Sequence, residues 1–184
     1  MKPSLIPLSA LLAVVALPAM ASLAVGTKAP DFTAPAALGG KDFTFNLADA
    51  LKKGPVVVYF YPEAFTKGCT IEAHDFAAAM DKYHALGATV IGVSHDEMPK
   101  LDKFSVSECG SKFAVASDAD HKIMTAYDSV MPSHDQYANR TSYVIAPDGN
   151  IIYTYTDMKP DQHVANTLKA IQDWKDKQAP SKAM

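Results

Sequence analysis

Apolar positions fall along the chain in two rhythms. Val56 to Tyr61 (VVVYFY) is an unbroken apolar, β-branched and aromatic run, and Thr89 to Ser94 (TVIGVS) is a second. Runs of this length without polar alternation suit strands covered on both faces. Between them the period changes. Cys69, Ala73, Phe76, Met80 and Tyr83 recur at spacings of four, three, four and three, one apolar stripe of a helix from about Lys67 to Leu86 that Gly87 ends. Met98 to about Glu108 reads as a second helix, with Leu101 and Phe104 inward. Phe113 to Ala116 is a short apolar segment, and Ser117-Asp118 would cap a further helix running to about Tyr127. Thr141 to Ile145 and Ile151 to Thr156 are strands joined by Ala146-Pro147-Asp148-Gly149-Asn150, whose Asp-Gly pair marks a hairpin turn. Gln162 to about Lys177 is a last helix with Val164, Leu168, Ile171 and Trp174 inward. Upstream, the proline- and alanine-rich Gly26 to Leu38 (GTKAPDFTAPAAL) reads as extended or looped, and Lys41 to Leu47 (KDFTFNL) alternates as a half-buried strand does.

Two strands separated by a helix imply a right-handed parallel crossover, and the later hairpin adds antiparallel pairing. The expected architecture is α/β, a thioredoxin-like mixed sheet flanked by helices. With 184 residues, no internal repeat and no linker, the chain is expected to build one domain over residues 22–184.

Residues 1–21 read differently. Lys2 supplies a positive charge, Leu5 to Leu17 is apolar but short for a bilayer, and Ala19-Met20-Ala21 places small residues where a signal peptidase reads. A cleaved secretory signal peptide is expected, hence export, to the periplasm in a bacterium with two membranes, with no stable membrane association after cleavage. The composition, 48% hydrophobic and 20% charged, is that of an ordinary globular protein, and a net charge of -3 gives no sign of nucleic-acid binding. In an oxidising compartment the two cysteines can pair, but two are too few for a disulfide-stapled scaffold.

Their chemistry is the better lead. Cys69 falls in the first turn of its helix, where unpaired N–H groups and the positive end of the helix dipole favour a thiolate over a thiol whose free pKa is about 8.5. Thr66 is placed to cap that helix, and Pro62 ends the preceding strand. The same cysteine also lies on the buried stripe, and free cysteine is among the most buried residue types. On chemistry alone a reactive thiol and an inert core thiol both fit.

Pro62-x-x-x-Thr66-x-x-Cys69 resembles the P-x-x-x-T-x-x-C signature of peroxiredoxins. The longer match from Tyr61 to Glu72, Y-P-x-x-x-T-x-G-C-T-x-E, is similar to the Q-type branch, the bacterioferritin comigratory proteins. The likeness begins at Gly26-Thr27-Lys28-Ala29-Pro30-Asp31-Phe32 and runs to the final helix. It implies a thioredoxin-fold peroxidase without metal or haem, with no cofactor. In such an enzyme a thiolate, here Cys69, attacks a hydroperoxide and becomes sulfenic acid. It implies that Thr66 hydrogen-bonds peroxide and thiolate, that Pro62 shields the sulfur, and that Arg140, the chain's one arginine, favours the thiolate. Glu72 would orient Arg140. Many Q-type members carry a resolving cysteine five residues after the first, but His74 stands there, and a solvated helix histidine is expected. Cys109, about one turn later than the family's other resolving position, is then the candidate for a Cys69–Cys109 disulfide, recycled by a thioredoxin-like or other thiol reductant. A monomer or weak dimer is expected.

The rivals are a one-cysteine peroxidase using an external thiol, and an exported thioredoxin-fold thiol- or copper-binding module. Copper carriers of that kind usually pair nearby cysteines, and Cys69 has no near thiol; a general disulfide oxidoreductase would want C-x-x-C, also absent. His95, His121, His134 and His163 show no metal-ligand spacing. Asp96, Glu97, Asp118 and Asp120 read as solvated loop and cap acids, and Trp174 as core.

Overall fold

The computed structural model describes residues 22–178. The expected signal peptide at 1–21 and the tail at 179–184 lie outside the described residues. In chain order the elements are β1 (Thr33–Leu38), β2 (Lys41–Asn46), α1 (Leu47–Leu51), β3 (Val56–Phe60), α2 (Lys67–Ala85), β4 (Thr89–Ser94), α3 (Met98–Ser107), β5 (Ala114–Ser117), α4 (Lys122–Ala126), β6 (Thr141–Ile145), β7 (Ile151–Thr156) and α5 (His163–Gln178). The strands form one sheet in the order β2-β1-β5-β4-β3-β6-β7. β3 pairs in parallel with β4 (Tyr59 beside Gly92) and antiparallel with β6 (Tyr59 beside Ser142), so the mixed, thioredoxin-like sheet expected from the element order is present.

The two continuous apolar runs lie at the centre because both of their faces are covered. Val56, Val58 and Phe60 point with Tyr143 and Ile145 into one core, completed by Phe32, Phe45, Met124 and Tyr127. Val57, Tyr59 and Tyr61 point the other way, against Ala73, Phe76, Met80 and Tyr83 of α2 and Leu101 and Phe104 of α3. The Tyr59 ring stacks on Phe76 at 4.3 Å. A Cβ at Gly92 would stand 2.7 Å from that ring, so glycine in β4 makes the stacking possible.

Several expectations are corrected. The segment expected to be extended or looped contains a paired strand, β1, joined to β2 from Thr33–Asn46 to Leu38–Lys41. Its alanines and proline carry little strand propensity; β5 pairs with it only at Ala36 and Ala37, so Pro35 blocks no ladder bond on that side. The strand expected to reach Leu47 stops at Asn46, whose side chain accepts the Asp49 N–H at 2.8 Å and starts α1. Asp96 and Asp118 are buried rather than solvated. Asp118 accepts the N–H groups of Ile123 (2.9 Å) and Met124 (2.7 Å) at the start of α4. Asp96 accepts the Ala64 N–H (2.7 Å) and the Ser94 hydroxyl (2.8 Å), tying the loop after β3 to the end of β4. On α5 the row facing inward is His163, Thr167 and Ile171, while Val164, Leu168 and Trp174 are half-buried on its flanks. Polar residues fit there because they are satisfied: the Thr167 hydroxyl lies 2.6 Å from that of Tyr83 and donates to the His163 carbonyl.

Candidate active site

After β3 the chain runs through Pro62 to Phe65 and turns into α2. Phe65 adopts φ 68°, a left-handed conformation that costs an aromatic residue on the order of 1–3 kcal/mol. Its ring stands edge-on to Phe104 at 5.2 Å, and the Asp96 bond to Ala64 fixes the preceding residue. Thr66 follows in the N-cap position, with extended backbone, but makes no side-chain cap. Its hydroxyl instead donates to the Glu63 carbonyl at 2.9 Å. The expected capping by Thr66 is therefore replaced by a turn bond, which leaves first-turn N–H groups of α2 without a side-chain acceptor. Thr66 is exposed and Pro62 half-buried at the mouth of this turn.

Cys69, third residue of α2, is 2% exposed. Arg140 reaches it from the residue ahead of β6: Nη2 donates to Cys69 Sγ at 3.3 Å, Nη1 donates to Glu72 Oε2, and Nε donates to the Met158 carbonyl at 3.0 Å. The guanidinium is thus fixed on three sides and buried. Burial disfavours its charge, yet Glu72 and the sulfur outweigh this and hold it above the ordinary arginine pKa. Glu72, one turn after Cys69, is fully buried rather than lying on a solvated first turn. Burial pushes its carboxyl up, while the Arg140 guanidinium bonded to it works against that rise and favours the carboxylate. Gly68 belongs to the same geometry, because a Cβ there would stand 3.0 Å from Arg140 Nη2. The glycine of the T-x-G-C motif gives the guanidinium room to reach the sulfur.

One residue of this cluster was ranked low from sequence. His163, first in α5, is fully buried with Nδ1 3.6 Å from Glu72 Oε1. Its Nδ1 lies 2.8 Å from the Ser142 hydroxyl and its Nε2 2.9 Å from the Asp157 carbonyl. Nothing in its spacing points to metal or catalysis; the available signal was its place at the end of the apolar row that Ile171 shares.

Cys109 lies just past α3, fully buried, its N–H bonded to the Phe104 carbonyl at 3.0 Å. Burial, with Glu108 adding to it, pushes its thiol well above the usual range. Both cysteines are free thiols in the same apolar cluster. His74 is exposed, as expected of a solvated helix histidine, but its Nε2 also meets Glu108 at 2.9 Å and so links α2 to the turn carrying Cys109. Glu63, His95 and Asp96 form a group of metal-ligand type that no local spacing announces. Lys100 Nζ already bridges Glu63 (2.7 Å) and Asp96 (2.8 Å), supplying the positive charge there.

A thiol at a helix N-terminus, held by an arginine that a buried glutamate orients, is equipped for nucleophilic attack. Comparison with known proteins identifies the family. Residues 25–154 match the AhpC/TSA family. The chain belongs to that family. It is 34% identical over 158 residues to peroxiredoxin Bcp of Escherichia coli K12, covering 82% of this chain and 98% of the relative. It is 32% identical over 161 residues to peroxiredoxin Bcp of Bacillus subtilis 168, covering 85% and 99%. The crystal structure of peroxidoxin BcpB from Mycobacterium tuberculosis superimposes with a TM-score of 0.73 at 26% identity over 81% of this chain and 96% of that one. A Xanthomonas campestris peroxiredoxin Q structure gives 0.66 at 28% identity, over 76% and 89%. This peroxiredoxin is accordingly a thiol-dependent peroxidase with the fold and branch that its motif indicated.

Proposed function

We propose that Cys69 is the peroxidatic thiol and that hydrogen peroxide and organic hydroperoxides are its substrates. The thiolate attacks one peroxide oxygen; the S–O bond forms, the O–O bond breaks, and the leaving oxygen takes a proton to depart as water or alcohol. Cys69 is then a sulfenic acid. Arg140 supports the thiolate and the charge that develops on the peroxide, Glu72 orients Arg140, and Pro62 and Thr66 form the mouth through which the peroxide enters. The observation that carries this reading is the 3.3 Å contact from Arg140 Nη2 to Cys69 Sγ. Replacing Cys69 with Ser tests it: peroxide consumption should fall to background, and retained activity contradicts the assignment.

In the second half of the cycle Cys109 displaces water from the sulfenic acid, forming a Cys69–Cys109 disulfide that a thioredoxin-like dithiol reduces. The two thiols share one apolar cluster, which supports this pairing, and a disulfide requires Cα atoms about 5.5 Å apart, which local opening of the first turn of α2 would supply. The complete burial of Cys109 favours a second reading, in which an external thiol resolves Cys69 directly. Cys109→Ser separates them: a longer-lived sulfenic acid fits the first reading, an unchanged lifetime the second. The protein acts as a monomer or weak dimer. Export, to the periplasm of a bacterium with two membranes, rests on Lys2, the Leu5–Leu17 apolar stretch and Ala19-Met20-Ala21. Among the described residues no helix is long and apolar enough to cross a membrane.

A further inference from the structure

The carboxylate that orients Arg140 is only half satisfied. Glu72 Oε2 takes the guanidinium, while Oε1 is buried with no hydrogen-bond partner among the described residues. What faces Oε1 is His163 Nδ1, at 3.6 Å. The protonation of that ring follows from its neighbours. The Asp157 carbonyl can only accept, so Nε2 carries the hydrogen that bridges their 2.9 Å separation. In the neutral ring Nδ1 is then an acceptor, and the Ser142 hydroxyl donates to it at 2.8 Å.

These contacts lock the ring from three elements. Ser142 of β6 lies two residues after Arg140, which immediately precedes that strand, so extended backbone puts both side chains on the same face. Asp157 and Met158 follow β7, and their carbonyls take His163 Nε2 and Arg140 Nε. Tyr155 of β7 closes the side of the ring at 4.8 Å, and Tyr83 of α2 holds the next turn of α5 through Thr167. The charged and titratable groups around His163 are therefore Glu72, Arg140, Tyr155, Asp157 and, one turn along, Tyr83.

We propose that His163, fixed as the Nε2–H tautomer by the Asp157 carbonyl and the Ser142 hydroxyl, is a positioning residue that walls Glu72 into place and thereby holds the Arg140 guanidinium against the Cys69 sulfur. A ring that offers Oε1 no hydrogen leaves the guanidinium as the carboxylate's one strong partner. The carboxylate stays turned toward Arg140, and Arg140 has no slack to leave the sulfur. Burial, which holds His163 down to about 4, keeps the ring in this neutral form across the working range of pH. Without the ring Glu72 can swing into the space, Arg140 follows, and the thiolate loses a charge-assisted hydrogen bond. The thiol form is then favoured, and the pH–rate profile of Cys69 moves to higher pH.

The inference rests on the reading of Cys69 as the reactive thiol, and its test uses two reactions. In the full chain carrying Cys109→Ser, the rate of Cys69 is followed against pH, once with hydrogen peroxide and once with iodoacetamide. In His163→Ala, which removes the ring, both profiles should shift upward by about one pH unit. His163→Phe restores a ring that offers Oε1 no hydrogen and should recover most of that shift. Parental profiles in His163→Ala, or equal shifts in the Ala and Phe variants, would overturn the proposal. Should His163→Ala fail to fold, Ser142→Ala carries the test: a smaller shift in the same direction supports the proposal, and an unmoved profile defeats it. A shifted alkylation profile in a protein that consumes no peroxide would refute the peroxidase assignment of Cys69 and leave the positioning role standing. Peroxide consumption with neither profile shifted would refute the positioning role alone.

Discussion

Cys69 and Cys109 make an informative pair. Both are buried and both border the same apolar cluster beneath α2 and α3. Cys69 sits in the first turn of a helix, at the positive end of its dipole, and a guanidinium bonds its sulfur. Cys109 sits past a helix C-terminus, where carbonyls carry the negative end of the dipole, and its immediate neighbour is Glu108. The same side chain thus faces a cation at a helix N-terminus in one place, and in the other a helix C-terminus, where burial and an acid both raise its pKa. Equal burial thus leaves the two thiols in opposite electrostatic settings, set by the direction of nearby dipoles and charges.

The contrast breaks at its strong end if Arg140 is removed. Arg140→Met keeps much of the side-chain volume but no donor, and the rate of peroxide consumption should fall by about 10²–10³-fold, the usual cost of losing one preorganised charge-stabilising donor. A loss of less than about threefold would show that the helix terminus suffices without the guanidinium.

The polar cluster around Cys69 should also leave a mark on stability. In the folded protein burial holds His163 down to about 4, whereas exposed imidazole titrates near 6.5. The unfolded chain therefore takes up the proton first, and the stability present above about pH 6.5 is lost as pH falls toward about 4. Between neutral pH and about pH 4 the parent should lose on the order of 3 kcal/mol more than His163→Gln, measured by denaturant unfolding of both proteins. Equal acid sensitivity of the two would place the acid response elsewhere.

A smaller effect sharpens the same geometry. Gly68→Ala places a Cβ 3.0 Å from Arg140 Nη2, so the guanidinium must shift and the rate should drop by about tenfold. An unaffected rate would mean that Arg140 has slack at the sulfur. The smallest change concerns the other cysteine. His74→Ala removes the link to Glu108, and loss of the sulfenic acid after a peroxide pulse should quicken by about twofold to threefold if the turn carrying Cys109 must move. A slower loss would show that His74 assists resolution instead of restraining it.

The central sheet and the loop that leads into α2 were legible in the sequence for physical reasons. Val56–Phe60 and Thr89–Ser94 are apolar on both faces because both faces are covered, and the stripe of α2 matches its buried residues. The proline, threonine, glycine and cysteine of the loop are close in sequence, so their spacing carries the site directly. β1 was not legible, since Ala34, Pro35, Ala36 and Ala37 become a strand only because β2 and β5 supply partners. Asp118 was legible as a cap for α4 but not as a buried acid, and Asp96 read as solvated because the Ala64 N–H that satisfies it comes from another segment of the chain. His163 was missed for a related reason. Its importance lies in Glu72, Ser142 and Asp157, which only the folded chain brings around it.

The most direct test of the account is mass spectrometry of the purified protein before and after one equivalent of hydrogen peroxide, with the peptides containing Cys69 and Cys109 resolved. The account requires oxygen to appear on Cys69 first, as a sulfenic acid that then gives way to a disulfide or awaits an external thiol, with Cys109 never oxygenated ahead of it. Oxygen arriving first on Cys109, or a Cys69 that stays an unmodified thiol while peroxide is consumed, would contradict it.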